Sequence, residues 1–228
     1  MKHNLLAIDA STEALSLALH FRGKTFTHFE ECPQQHSQKI LPLVESLLAQ
    51  ANCTLKELDG IVYGRGPGSF TGVRIGVAVA QGLAYSANLK LSGVSTLQAM
   101  AQQAMCSSEC DEVISAIDAR MGEVYLGHFI KDDNGNASAK RDEIVVKPDL
   151  IEGDFSGMSA VGTGWQSYAD TAHELSLKVI EDITLPSAEY MLALGDKAFE
   201  SGETVDAQDA QPHYVRDTVT WKKLPGRE

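Results

Sequence analysis

The 228 residues carry 19 Lys and Arg against 31 Asp and Glu, a formal charge of -12, which excludes a chain that grips phosphate backbones alone, because counterion release needs clustered cations. Four cysteines, Cys32, Cys53, Cys106 and Cys110, show no CxxC spacing; they are too few for a disulfide scaffold and point to reduced thiols rather than zinc. The first apolar run, Leu5 to Ile8, is too short for a signal core and no stretch approaches a membrane span, so a soluble cytoplasmic protein is expected.

Residues 4–10, 14–21 and 24–30 read as strands joined by tight turns such as Phe21-Arg22-Gly23-Lys24, an antiparallel meander. Helical periodicity follows from about Gln34 to Ala51, with Ile40, Val44, Leu47, Leu48 and Ala51 on one face. A strand at 58–63, a glycine-rich loop, a helix over 70–86, a strand at 89–94 and a helix opening at Ser95 complete the first half. Ser95 and Gln98 have capping-box spacing. The second half repeats this order: strands at 112–118, 123–131 and 142–146, a turn near Pro148, a strand at 158–162, a helix from Trp165, a strand at 177–180 and a helix at 187–201.

The repetition is also textual. Ala7-Ile8-Asp9-Ala10 recurs as Ala116-Ile117-Asp118-Ala119, and His20-Phe21 as His128-Phe129, which reads as an internal duplication. A duplicated lobe of this order is the α/β plan shared by actin, the sugar kinases and Hsp70 (the ASKHA fold). It predicts two lobes over 1–108 and 109–228, each a mixed five-stranded sheet with helices, the second ending in a C-terminal tail. In that plan acids at the ends of the two first strands face a nucleotide cleft, and Asp9 and Asp118 hold those places. Each acid can equally cap its own turn by bonding the backbone two residues on.

Between the strand at 58–63 and the following helix runs Gly64-Arg65-Gly66-Pro67-Gly68-Ser69-Phe70-Thr71-Gly72, where unpaired helix amides would welcome an anion. The spacing matches neither GxxxxGK[ST] nor GxGxxG, and a tight turn with positive-φ glycines explains the loop as well. Asp9, Ser11, Gly66, Gly68, Ser69 and Asp118 form the candidate nucleotide site. The expectation is no obligatory cofactor, with weak ATP or ADP binding at most. The alternative class is an ATP-dependent kinase or ATPase in which Asp9 and Asp118 position Mg²⁺.

The helix over 70–86 contains Gly72, Gly76 and Gly82, and helix-interior glycines cost about 1 kcal/mol each against alanine. Something must offset them. Gly72, Gly76, Val79, Ala80 and Leu83 lie on one stripe, which permits close approach either of the lobe's own elements or of another protein.

Residues 64–76, G-R-G-P-G-S-F-T-G-V-R-I-G, with I-D-A-S-T at 8–12, H-S-x-x-I-L-P at 36–42, D-A-R-x-G-E-V-Y at 118–125 and the tail Pro212-His213-Tyr214-Val215-Arg216, closely resemble the bacterial TsaB family, also called YeaZ. The resemblance covers most of the chain. It implies a role in making threonylcarbamoyladenosine in tRNA, as the non-catalytic partner of the paralogue TsaD, with the ATPase TsaE joining and tRNA held only through the complex. The catalytic sister family carries HxxxH on the helix that here begins at Ser95; the aligned residues are Thr96 and Met100, which cannot replace imidazole ligands. No metal site is therefore expected. The resemblance also implies that the first two helices contact the partner, making Ile40, Leu41, Val44, Leu48, Gly72, Val73, Gly76, Val79, Ala80 and Leu83 the interface candidates. Alone, the chain should form a homodimer, and Gly76→Arg should abolish the heterodimer while leaving the fold native. Arg216, Lys222, Lys223 and Arg227 make a basic tail, of the kind that is usually solvated.

Overall fold

A computed structural model describes residues 1–216. Its elements run β1 (Leu5–Asp9), β2 (Ala14–Phe21), β3 (Lys24–Glu31), α1 (His36–Ala51), β4 (Gly60–Gly64), α2 (Phe70–Ala87), β5 (Lys90–Val94) and α3 (Thr96–Ser107). The second half supplies β6 (Glu112–Arg120), β7 (Glu123–Lys131), β8 (Ala137–Ala139), β9 (Ile144–Val146), β10 (Ser159–Val161), α4 (Thr163–Ser167), α5 (Ala169–Glu174), β11 (Lys178–Val179) and α6 (Ala188–Ser201). The first sheet has the order β3-β2-β1-β4-β5 and the second β11-β10-β6-β7-β8, so the two are the same topology written in opposite directions. Within each, the meander is antiparallel and the fourth and fifth strands join in parallel.

The duplication holds to the level of register. Leu5, four residues before Asp9, faces His20, and Ile114, four residues before Asp118, faces His128. A turn one residue shorter after Asp118 accounts for the difference in sequence offset. The second sheet departs from the five-strand expectation by having six. Where the first lobe has one continuous third strand, the second has two short ones, β8 and β9, both pairing with β7.

Burial explains which strands sit where. β1, β2 and β4 are buried along their whole length, as central strands covered on both faces must be, whereas β3 exposes alternate residues at the edge. α1 and α2 cover one face of the first sheet through Ile40, Val44, Leu47, Val73, Val77 and Ala80. Its other face receives α6, through Met191, Leu192 and Leu194 packed on Leu5, Ala7 and Val62. α3 in turn covers the second sheet, with Leu97, Met100 and Ala104 against Val113, Ile117 and Phe129. α4 and α5 close the last face around Trp165.

The halves divided at residue 108 exchange helices. The last helix of each half packs on the sheet of the other, and α3 and α6 also meet one another. The chain therefore crosses between lobes twice, which ties them together through shared core. Ser95 caps α3 by accepting from the amides of Leu97 and Gln98. The capping box is only half formed, because the Gln98 amide side chain donates instead to Ala137 O at 2.8 Å, again linking lobe to lobe.

Candidate functional site

Between the lobes opens a cleft of about 830 Å³, lined on one side by Ser11, Thr12, Glu13, Gly68, Ser69 and Phe70 and on the other by Ile117, Asp118, Ala119 and Arg120. Its first wall is built by an unusually close crossing. The N-terminus of α2 runs over the end of β1 so tightly that a Cβ on Gly72 would collide with Ala10 O, and one on Gly68 with Ser11 O. Ser69 N donates to Ser11 O at 2.7 Å, and Ser69 Oγ accepts from Gly72 N at 3.3 Å as the helix N-cap. Two of the loop's amides are thereby spent within the chain. Gly66 has φ of +92°, as a turn requires of glycine, but Gly68 does not; contact with Ser11 dictates its identity.

Of the six candidate nucleotide residues, Ser11, Gly68, Ser69 and Asp118 line the cleft. Asp9 and Gly66 do not, which corrects the reading of Asp9 and Asp118 as a matched pair facing one ligand. Asp9 is 1% exposed; its Oδ1 accepts from Ser11 N at 3.0 Å and Ser11 Oγ at 2.8 Å, and its Oδ2 lies against Gly64, where a Cβ would strike it. That second oxygen has no hydrogen-bond partner. Burial raises the Asp9 pKa, only partly offset by the Ser11 bonds. Asp118 is half-buried and makes the corresponding turn bond, accepting from Arg120 N at 2.8 Å. Both acids therefore cap their own turns. Arg120 then reaches across the cleft to Glu13, Nη2 to Oε1 at 3.0 Å, with both side chains mostly exposed.

Thr96 and Met100 are both 0% exposed. Thr96 Oγ1 donates to Ser11 Oγ at 2.9 Å, extending the Asp9–Ser11 chain into α3, and Met100 packs in the core of the second lobe. Among the described residues no group of three His, Cys, Asp or Glu side chains is disposed to hold a metal.

The interface candidates divide by burial. Ile40, Val44, Val73 and Ala80 are at most 4% exposed, and Gly72 and Gly76 are buried as well; these six belong to the lobe's own core. Gly76 faces the Ala10 methyl, 3.4 Å from its own Cβ position, so Gly76→Arg would disrupt folding rather than report on assembly. Leu48, Val79 and Leu83 are half-buried, while Leu41 is 47% exposed. The surface that pattern reading missed is the opposite stripe of α2: half-buried Ile75 with exposed Ala78, Gly82 and Tyr85. These recur at helical spacing, and a second apolar period on an already amphipathic helix was the signal available for finding them. Arg216 is paired with Glu123; Lys222, Lys223 and Arg227 lie outside the described residues.

A second inter-lobe contact also escaped sequence reading. Glu143, in the break between β8 and β9, hydrogen-bonds Ser95 Oγ. Its other oxygen is unpartnered, and burial raises its pKa, with Ser95 and Arg65 acting in the opposite direction.

Comparison with known proteins places this geometry. The family model for TsaD, the tRNA N6-adenosine threonylcarbamoyltransferase, matches residues 28–224. The Escherichia coli K12 protein named tRNA threonylcarbamoyladenosine biosynthesis protein TsaB is 45% identical over 98% of this chain and 99% of its own length. The chain belongs to the TsaB (YeaZ) family. The Haemophilus influenzae TsaB is 43% identical over 98% of both chains. The solved structure of YeaZ from Pseudomonas aeruginosa superposes with a TM-score of 0.85 at 38% identity, covering 94% of this chain and all of that one. Family membership and the duplicated fold agree with the expectation from the motifs.

Proposed function

We propose that this chain is a non-catalytic subunit in the biosynthesis of tRNA threonylcarbamoyladenosine, the process named for its relatives, and that it works in the cytoplasm by docking the catalytic paralogue TsaD, with TsaE joining the pair. One observation supports the docking: α2 carries half-buried Ile75 and exposed Ala78, Gly82 and Tyr85 on an apolar, glycine-notched outer stripe, with Tyr85 79% exposed, and α1 exposes Leu41. A stripe of this kind lets a partner helix approach closely, and apolar area is buried only when one does. The same surface would pair two copies of the chain when TsaD is absent. Thr96 and Met100 support a non-catalytic part, since a hydroxyl and a thioether offer no imidazole for a metal. With a formal charge of -12, tRNA is held through more basic partners.

The test uses Ala78→Arg, which adds a charged side chain on an exposed position. The variant should keep native circular dichroism, run as a monomer on size exclusion and fail to co-elute with TsaD. Unimpaired co-elution would move the docking surface elsewhere. Reconstitution of tRNA modification from purified subunits should require the chain and should fail with the variant; modification that proceeds equally well without the chain would refute the subunit role.

A further inference from the structure

The segment after α6 returns along the first lobe and then leaves it. Gln81 Nε2 donates to Ala210 O at 3.1 Å and Tyr63 Oη to Gln211 O at 3.4 Å, and His213 N donates to Arg65 O at 2.7 Å. All three anchors lie on the first lobe. Beyond them Tyr214 sits beside Phe70, ring centroids 6.3 Å apart, with the Arg74 guanidinium over both rings, at 3.2 Å from the Phe70 centroid and 5.1 Å from that of Tyr214. Arg216 ends on the second lobe. Its Nη2 donates to Glu123 Oε2 at 2.6 Å, and its guanidinium lies 5.7 Å from the Tyr125 ring centroid.

His213, Tyr214, Val215 and Arg216 share the cleft lining with Ser11, Ser69 and Asp118. We propose that residues 211–216 form a displaceable strap across the inter-lobe cleft, hinged on the first lobe at Gln211 and His213 and latched to the second by Arg216 on Glu123. The two ends differ in kind. The hinge bonds the strap's main chain, Gln211 O accepting from the buried Tyr63 hydroxyl and His213 N donating to Arg65 O, whereas the latch is one ion pair with an aromatic neighbour, on side chains 17% and 30% exposed, a combination that is weak beside a packed core. Tyr214 remains 47% exposed, so it leans on the wall without being embedded in it. Beneath the strap Arg74 Nη1 is buried with no partner, a donor left unspent where a ligand entering the cleft would meet it. Access to the buried Arg74 Nη1 therefore requires the latch to open, and the hinge keeps the strap close enough to return.

The strap is independent of the docking reading and is tested on the full chain by amide hydrogen exchange read on peptides spanning 212–216, 66–70 and 118–123. Arg216→Ala should raise exchange in all three by about tenfold, the scale set by losing one ion pair and one cation–π contact. Exchange in the buried strands β1 and β6 should not change, which separates unlatching from unfolding. Tyr214→Ala should give a smaller rise. The exchanged pair Arg216→Glu with Glu123→Arg should restore protection. Wild-type exchange in Arg216→Ala, or no recovery in the exchanged pair, would overturn the latch.

Discussion

The two lobes start from one plan and end as different surfaces. Each brings a helix against its first strand on glycine: Gly68 and Gly72 on Ser11 and Ala10, just past the end of β1, in one lobe, and Gly162 and Gly164 on Ala116, in the middle of β6, in the other. Each closes its first hairpin with an aspartate bonded two residues on. Yet Asp9 is sealed while Asp118 lies half open beside an arginine, and α2 has 18 residues where α4 has five. The long helix gives the first lobe an outer face beyond what its core needs, and the short one leaves the second lobe with none. Duplication thus kept a glycine-lined helix crossing on the first strand, shifted along it by three residues, and let the side chains at equivalent places diverge.

If the crossing is what both lobes share, disturbing it should cost most. Gly72→Ala forces a methyl into Ala10 O and should destabilise by about 3 kcal/mol, the upper range for overpacking, read as a lowered urea midpoint at unchanged slope. Gly162→Ala should be comparably severe, since it meets Ala116 O and also holds φ of +104°. A mild effect in one lobe alone would break the equivalence. The aspartates should then separate the lobes. Asp9→Ala strands the buried Ser11 N and Oγ and should cost about 2 kcal/mol; Asp118→Ala removes a bond to an exposed amide and should cost about 0.5 kcal/mol or less. Equal costs would mean the burial difference carries no energetic weight.

The same contrast runs across α2 itself. Gly82 faces open space on the outer stripe, so Gly82→Ala should stabilise the isolated chain by about 1 kcal/mol through helix propensity alone, measured by thermal or urea unfolding. Should the variant also weaken assembly with TsaD, the cost of keeping glycine there would be accounted for by close helix approach. A stabilised variant that assembles normally would leave Gly82 without a docking role.

Much of this was legible beforehand because local signals agreed. Alternation and turn residues delimit β2 at Ala14–Phe21 and β7 at Glu123–Lys131, and Ser69 and Ser95 mark their helix starts. Six of the interface candidates proved to be buried in the lobe, because apolar periodicity reports that a face is buried without saying by what. Ile40, Val44 and Ala80 satisfy the same pattern whether they meet β1 and β2 or a second protein, and here the lobe's own sheet claims them. The helix exchange was invisible for a related reason: α3 is amphipathic toward a sheet that comes later in the chain. Glu143 offered no motif at all, since only the break between β8 and β9 brings it to Ser95.

That contact yields the smallest effect expected, a change in slope with pH. Burial lifts the Glu143 pKa above its unfolded value, so in the window between the two the folded state binds more protons than the unfolded one. Stability from this group is therefore full below the ordinary carboxylate range and is lost as pH rises through the elevated folded value. Asp9, shifted in the same direction by burial, adds to the trend. Glu143→Gln keeps an oxygen to accept from Ser95 and cannot ionise, so its unfolding free energy should fall less steeply with rising pH above about 4 than that of the wild type. The residual slope belongs to Asp9 and the other titrating groups, and comparing the two profiles isolates the share contributed by the acid that joins the second lobe to the first. Parallel profiles would mean that Glu143 ionises as freely in the fold as in the unfolded chain, and the inter-lobe contact with Ser95 would then be too open to tie the lobes.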